Sequence, residues 1–109
     1  KQGKEYAILT NKISQAWSGM TTKEYKNFKG LKKENLRDNM SNLELVLNML
    51  AEVSTTEISR GSNPQGFEES KKVARQGGNV ARNAREEIEK QSGKSAITSK
   101  TAKDSDQIE

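Results

Sequence analysis

The stretch FEESKKVARQGGNVARNAREEIEKQ, residues 67–91, decides the fold. Small and apolar side chains recur along it every seven residues, at Phe67, Ala74, Ala81 and Ile88. This line has the period of a helix face, and it keeps its phase across the glycine pair at 77–78. Glycine costs roughly 1 kcal/mol relative to alanine inside a helix, so we expect the pair to serve the close approach of another backbone. A loop at the glycines is the alternative.

A close-packing seam is therefore predicted at Gly77, Gly78, Ala81 and Ala84, and a basic flank lies beside it at Lys71, Arg75, Arg82 and Arg85. Arginine binds phosphate through two parallel hydrogen bonds, which makes contact with nucleic acid one interpretation of this flank. Glu86 and Glu89, however, follow Arg82 and Arg85 by four residues, and at this spacing they can form ion pairs on the same helix. The sequence leaves both interpretations open.

Helix signals dominate the first half of the chain, whereas strand signals are poor. Apolar residues recur at helical spacing from Tyr6 to Trp17, before a stop signal at Gly19. Two capping boxes follow, TTKE at residues 21–24 and SNLE at residues 41–44. In such a box a hydroxyl and a carboxylate each bond a backbone N–H at the start of a helix. The first box predicts a short helix over residues 22–29.

The second box precedes the most apolar helical pattern of the chain, over residues 43–58, which we place at the centre of the fold. Residues 31–40 also have a helical composition, and residues 61–66, with the single proline, form a loop. The prediction is an all-α fold, a compact bundle of four to five helices. Residues 1–98 form one helical domain, and residues 99–109, which are mostly polar, form a flexible, disordered tail.

Composition excludes several function classes. The chain has no cysteine and no histidine, which removes thiol nucleophiles, disulfides, the commonest general base and the commonest zinc ligand. The carboxylates of Glu86, Glu87 and Glu89 lie among basic side chains without an apolar pocket, so we expect no catalytic residue, no metal and no cofactor. No apolar run approaches the roughly 20 residues of a membrane span, and we expect a cytoplasmic protein. Lys1 stands where an initiator methionine would, which indicates a piece of a longer protein.

Positive charge is concentrated in the two end segments of the chain, while residues 41–70 hold five glutamates against Arg60 alone. In the first basic segment, lysines three or four residues apart alternate with Tyr25 and Phe28. Lysines neutralise phosphate and aromatic rings stack on bases, but an amphipathic helix with both rings in the core has the same pattern. If nucleic acid binds, we expect the contacts to come from basic residues of both segments: Lys26, Lys29, Lys33, Arg37, Lys71, Arg75, Arg82 and Arg85.

Two stretches carry a family resemblance, LRDNMSNLELVLNMLAE at residues 36–52 and GGNVARNAREEIE at residues 77–89. They resemble the C-terminal half of bacterial and phage proteins described as DNA-damage-inducible protein D-like or phage antirepressor-like. The resemblance extends from about Ala7 to Thr98. It implies a context of damage response or prophage control, and an N-terminal Bro-type domain in the same protein as the expected DNA binder. It implies no catalytic residues.

Two functions follow as hypotheses. In the first, the chain is a non-enzymatic regulatory module of a DNA-associated protein, with an accessory DNA-binding role through its basic helix faces. In the alternative it binds protein rather than nucleic acid, contacting a recombinase or a repressor, or forming a homo-oligomer through the close-packing seam. A purely structural role, supporting the N-terminal domain, would need neither surface.

Overall fold

The computed structural model describes residues 2–102 and is helical over most of this range. The elements are α1 (Gln2–Ser18), α2 (Thr22–Phe28), a 3-10 turn (Arg37–Asn39), α3 (Asn42–Ser62) and α4 (Gly66–Ser92). No strand occurs between residues 2 and 102, so the all-α prediction and the number of helices are confirmed. None of these helices combines the length and apolar character needed to cross a membrane.

Both predicted capping boxes begin helices. In the first, Thr21 Oγ1 accepts from the backbone N–H of Glu24 at 3.2 Å, and Glu24 Oε1 accepts from the N–H of Thr21 at 2.9 Å. In the second, Ser41 and Glu44 exchange the same two bonds at 3.1 and 2.8 Å. Each box satisfies two backbone donors that the first turn of a helix leaves unpaired. α3 ends at Ser62, and its C-cap residue Asn63, with a left-handed backbone (φ 49°), precedes Pro64.

The helix at the centre of the fold is α4, which corrects the placement of residues 43–58 there. α4 packs along both α1 and α3, and these two contact each other much less. The described chain measures 44 × 34 × 16 Å along its principal axes. Because α3 packs chiefly against α4, it buries one side only, and Val46, Met49 and Val53 stay more than half exposed despite its apolar sequence.

Residues 31–40 are the second correction, because they are irregular apart from the 3-10 turn. Asparagine side chains bond the backbone here and compete with helical hydrogen bonds. Asn35 Oδ1 accepts from the N–H of Asp38 at 3.1 Å, and Asn39 Nδ2 donates to the carbonyl of Asn35 at 2.8 Å. Leu31 and Met40, at the two ends of the segment, are buried.

The core lies at one end of the three long helices α1, α3 and α4, where α2 and the segment after α4 cover it. It consists of Trp17, Tyr25, Met40, Leu47, Ala51, Ala81, Ala96 and Ile97. Residues 99–102, which we expected in the disordered tail, are bonded to this end: the N–H of Ala102 donates to Asn39 Oδ1 at 2.8 Å. The rest of the predicted tail, residues 103–109, lies outside the described residues.

Candidate nucleic-acid interface

The glycine pair of the close-packing seam lies inside a continuous α4 and is buried against both neighbouring helices. A Cβ on Gly77 would overlap Thr55 of α3, whose Cα would be only 2.6 Å away. A Cβ on Gly78 would overlap Ala16 of α1 and lie 2.8 Å from the carbonyl oxygen of Ile13. The glycines therefore let three helices approach closely within one chain. The seam is not an exposed surface on which a second copy could pack.

Three of the four residues in the basic flank of α4 have acidic partners. Arg82 Nε lies 3.2 Å from Glu86 and Arg85 Nε lies 3.1 Å from Glu89, each four residues along the helix. Lys71 pairs with Glu68 at 3.0 Å and lies over the ring of Phe67. Arg75 is exposed and makes no ion pair with any described residue. Intrahelical pairing thus accounts for most of the flank, since such pairs leave little net charge for a phosphate.

Arg85 also has a structural contact beyond its own helix. Its Nη1 donates to the carbonyl oxygen of Trp17 at 3.1 Å, in the last turn of α1. Carbonyls at the end of a helix lack intrahelical partners and carry partial negative charge, so a guanidinium there stabilises the helix. Half-buried in this position, Arg85 links the C-terminal end of α1 to α4.

Glu89, the partner of Arg85, connects α4 to the segment that follows it. Its Oε2 accepts from the backbone N–H of Ala96 at 2.9 Å. This hydrogen bond is the main cause that lowers the pKa of the Glu89 carboxyl below its usual value, and Arg85 lowers it further against the opposing effect of burial. Ionised Glu89 thereby helps to hold residues 93–102 against the end of the long helices.

Lys29 lies in the core, which corrects its assignment to a nucleic-acid-binding surface. Its Nζ is 3.0 Å from Glu44 Oε1, and neither side chain is exposed to solvent. The remaining two protons go to the carbonyl oxygens of Thr98 and Lys100, at 2.5 and 2.7 Å. A lysine with all three donors used inside the protein cannot reach a phosphate.

Tyr25 belongs to the same buried network. Its hydroxyl donates to Glu44 Oε2, and its ring packs against Trp17 with 6.1 Å between centroids. Burial raises the pKa of Tyr25 far above its ordinary value, and the hydrogen bond to Glu44 raises it further. The phenol therefore stays protonated as a donor. Of the two aromatic residues in the basic run, Tyr25 is in the core and Phe28 is about half exposed.

A groove of about 880 Å³ lies between α1 and α3, with Ser70 and Ala74 of α4 in its lining. The walls are rich in hydroxyl groups, those of Thr10 and Ser14 on α1 and of Thr55, Thr56 and Ser59 on α3. Tyr6 also lines the groove, and it is 74% exposed. The groove thus combines hydroxyl groups able to bond an oxyanion with one accessible aromatic ring.

One end of the groove carries positive charge. Lys26 and Lys33 line it, and Lys26 also lines a neighbouring cavity of about 450 Å³ together with Lys23 and Lys32. We call these four lysines the basic end. None of them makes an ion pair within residues 2–102. Arg37 lines the groove as well, but it is paired with Glu52 at 2.9 Å.

The structure therefore brings together only part of the predicted nucleic-acid-binding set. Lys26, Lys33 and Arg37 share the groove, Lys29 is buried, and the α4 residues are separate and mostly paired. Lys23, Lys32 and Tyr6 join the site without having been assigned to it. A signal for Lys23 and Lys26 was present in the sequence, because no acidic residue lies three or four positions from either of them.

A separate apolar surface lies on the solvent side of α3. Val46, Met49 and Val53 follow one another at spacings of three and four residues, and each is more than half exposed. We call these three residues the apolar edge. Three large apolar side chains in a row on one helix form the kind of exposed patch that marks contacts with other proteins.

The family described as the DinD C-terminal domain matches residues 1–105, nearly the whole chain. The chain matched neither a curated protein nor a solved structure.

Proposed function

Because the chain belongs to the DinD C-terminal domain family, we propose that it is a non-enzymatic regulatory module of a DNA-damage-inducible protein that contacts nucleic acid through the basic end of the groove. The single observation that carries this proposal is the cluster of Lys23, Lys26, Lys32 and Lys33 at the mouth of an open groove, without ion pairs among the described residues. Lysines that are not neutralised within the protein are those that release counterions when they meet phosphate.

The shape of the site favours a single strand over a duplex. A concave groove with hydroxyl-rich walls suits a flexible sugar–phosphate backbone, and a base can stack on the exposed ring of Tyr6. The interface we propose therefore differs from the arginine face of α4.

Fluorescence anisotropy of labelled single- and double-stranded DNA, titrated with the chain at several salt concentrations, tests this function. We expect tighter binding of the single strand, with an affinity that falls steeply as salt rises. Lys26→Gln/Lys33→Gln should weaken binding and reduce the salt slope by about one for each phosphate that the chain no longer neutralises. Tyr6→Ala should weaken binding of the single strand without changing that slope.

The matched control is Lys72→Gln/Lys90→Gln, which removes two exposed lysines of α4 that do not line the groove. It should leave the affinity close to that of the unmodified chain. An equal loss in both double variants would mean that net charge, rather than the basic end, drives binding. No binding to either form of DNA at low salt would reject nucleic-acid contact altogether.

The apolar edge favours a second candidate function, contact with another protein such as a recombinase or a repressor. In water, exposed valine and methionine side chains gain roughly 25 cal/mol for each Å² of apolar surface that a partner covers. Sedimentation velocity of the unmodified chain and of Met49→Asp, alone and with a purified candidate partner, tests this function. A complex that forms with the unmodified chain and not with Met49→Asp would support it. Association of the chain with itself, abolished in the same variant, would identify a homo-oligomer.

A further inference from the structure

The exposed positions in residues 42–56 of α3 are all uncharged. They follow one another at alternating spacings of four and three residues, which place them on one face of the helix: Asn42, Val46, Met49, Val53 and Thr56. We call these five residues the outer face of α3, and the apolar edge forms its middle. Although 31% of the residues of the chain are charged, none of these five is. An identical face that approached this one would therefore meet no like charge, which is a condition that any contact between two copies must satisfy.

The outer face has the same order of side chains in both directions. From either end, a polar residue is followed by valine, methionine, valine and a second polar residue. Two copies of α3 packed antiparallel about a two-fold axis would therefore bring Val46 of one copy against Val53 of the other, with both Met49 side chains next to the axis. Two-fold dimers, in which both copies use the same surface, are the commonest homo-oligomers.

The polar ends of the outer face are also able to pair. Thr56 Oγ1 donates to the carbonyl oxygen of Glu52 at 3.1 Å, so its lone pairs remain able to accept. The side chain of Asn42 makes no hydrogen bond with another described residue, and its amide can donate to Thr56 of the second copy. Just beyond Thr56, the exposed carboxylate of Glu57 pairs with Arg60 at 3.2 Å, which neutralises that charge within one chain.

We propose that the outer face of α3 joins two copies of the chain, packed antiparallel about a two-fold axis. This inference rests on the second candidate function, contact through the apolar edge, and names the partner as a second copy. Residues 42–56 of a helix span roughly 22 Å along an axis roughly 10 Å wide, so the contact is smaller than the roughly 800 Å² per partner of a standard interface. The dimer is therefore weak, and its population rises with the concentration of the chain.

Sedimentation velocity of the chain, from low-micromolar to near-millimolar concentration, tests the dimer. The sedimentation coefficient should rise with concentration in the unmodified chain and stay at the monomer value in Met49→Asp, because that change brings two carboxylates together at the axis. The matched control is Phe28→Asp, which alters an apolar residue of α2 that is about as exposed as Met49 and should associate like the unmodified chain. An equal loss in this control, or an unmodified chain that stays monomeric, would overturn the inference.

Val46 and Val53 test the antiparallel arrangement. Val46→Lys and Val53→Glu each place an unpaired charge against a valine of the other copy, and each should weaken association by at least about tenfold. In the double variant Val46→Lys/Val53→Glu, each lysine faces a glutamate of the other copy, so association should return and should fall as salt rises. A parallel pair of helices would bring like charges together instead. A double variant as monomeric as the single variants would therefore overturn the arrangement.

The dimer and the proposed nucleic-acid contact can fail separately, because Val46, Met49 and Val53 do not line the groove. A chain that binds single-stranded DNA and stays monomeric would overturn the dimer alone. A chain that dimerises and binds no DNA would reject the nucleic-acid contact alone. A monomeric chain that forms a complex with another protein, lost in Met49→Asp, would retain the second candidate function and overturn the assignment of the outer face to a second copy.

Discussion

Lys29 Nζ and Glu44 Oε1 lie 3.0 Å apart with both side chains fully buried, and the two residues come from different helical segments, the end of α2 and the first turn of α3. Glu44 at the same time completes the capping box of α3 and accepts from Tyr25. One carboxylate therefore takes part in helix initiation, in core packing and in the attachment of the segment after α4, because its Oε2 also accepts from the backbone N–H of Thr98. No buried side-chain polar atom among residues 3–102 lacks a hydrogen-bond partner, which is the condition under which such a pair is tolerated.

Removing one member of this pair should be far more damaging than removing both. Lys29→Met leaves Glu44 as an uncompensated buried charge, and we expect a loss of about 3–5 kcal/mol in the free energy of unfolding. The double variant Lys29→Met/Glu44→Gln removes both charges and keeps a side chain able to complete the capping box. It should be clearly more stable than Lys29→Met. Urea unfolding followed by circular dichroism measures the free energy of unfolding of both variants and of Glu44→Gln. If the loss in the double variant equalled the sum of the losses in the two single variants, the coupling would be contradicted.

The glycines of α4 should tolerate no side chain. Gly77→Ala and Gly78→Ala each place a Cβ against a neighbouring backbone, at Thr55 and at Ile13. Overpacking of this kind costs roughly 1–3 kcal/mol, and a larger side chain, as in Gly78→Leu, should cost at least as much. The matched control is Gly61→Ala: Gly61 lies inside α3 with nothing within 4 Å of its Cβ position. That change should stabilise the chain by about 0.4–1 kcal/mol, because alanine restricts the unfolded state.

Thermal or urea midpoints of Gly77→Ala, Gly78→Ala and Gly61→Ala test this prediction. If Gly77→Ala and Gly78→Ala raised the midpoint as Gly61→Ala does, the helices would not meet at the glycines. A uniform loss in all three would indicate a general intolerance of alanine rather than a close approach at α4.

Local patterns predicted the helix boundaries well, because the signals for a boundary lie within a few residues of it. The box from Thr21 to Glu24 and the box from Ser41 to Glu44 need only their own side chains to act. Residues 31–40 show that a helical composition alone does not predict a helix, because asparagine amides there bond the backbone and replace the helical hydrogen bonds.

Burial and sites assembled from distant segments were harder to predict. Lys29 follows Lys26 at the same spacing as Lys26 follows Lys23, and its partners at Glu44, Thr98 and Lys100 are far away in sequence. The groove is formed by α1 and α3, which no local period relates. The apolar sequence of α3 suggested a central helix, but α4 has the small residues that allow contact on two sides.

The hydrogen bond from the backbone N–H of Ala96 to the Glu89 carboxylate predicts a dependence of stability on pH. Because the folded-state pKa of Glu89 is lowered, the unfolded chain binds a proton at Glu89 more readily than the folded chain does. The contribution of Glu89 is therefore fully present above the ordinary carboxyl pKa of about 4.3, and it is lost as the pH falls through the lowered folded-state value.

Glu89→Gln should accordingly destabilise the chain at neutral pH and have a smaller effect at acidic pH. Urea midpoints measured from pH 7 down to the acid limit of the fold give the difference between variant and unmodified chain. Glu87→Gln removes an exposed carboxylate two residues away, which accepts a hydrogen bond from Gln91, and serves as the control for the removal of charge. A constant difference for Glu89→Gln across the whole pH range would contradict the assignment.

Substitutions of Arg85 and Arg82 should distinguish a structural role of the α4 arginines from a role in binding nucleic acid. Arg85→Gln removes the contact with the Trp17 carbonyl and the pair with Glu89, and we expect a loss of about 1 kcal/mol, since charged hydrogen bonds at a helix C-terminus have this size when partly exposed. Among the described residues, Arg82→Gln breaks an exposed ion pair with Glu86 alone, and it should cost at most about 0.5 kcal/mol. At a temperature where both variants are folded, their affinity for single-stranded DNA should remain within about twofold of the unmodified chain, because intrahelical partners already neutralise both guanidinium groups. A large loss of affinity in Arg82→Gln, with its stability unchanged, would move the interface from the basic end to α4.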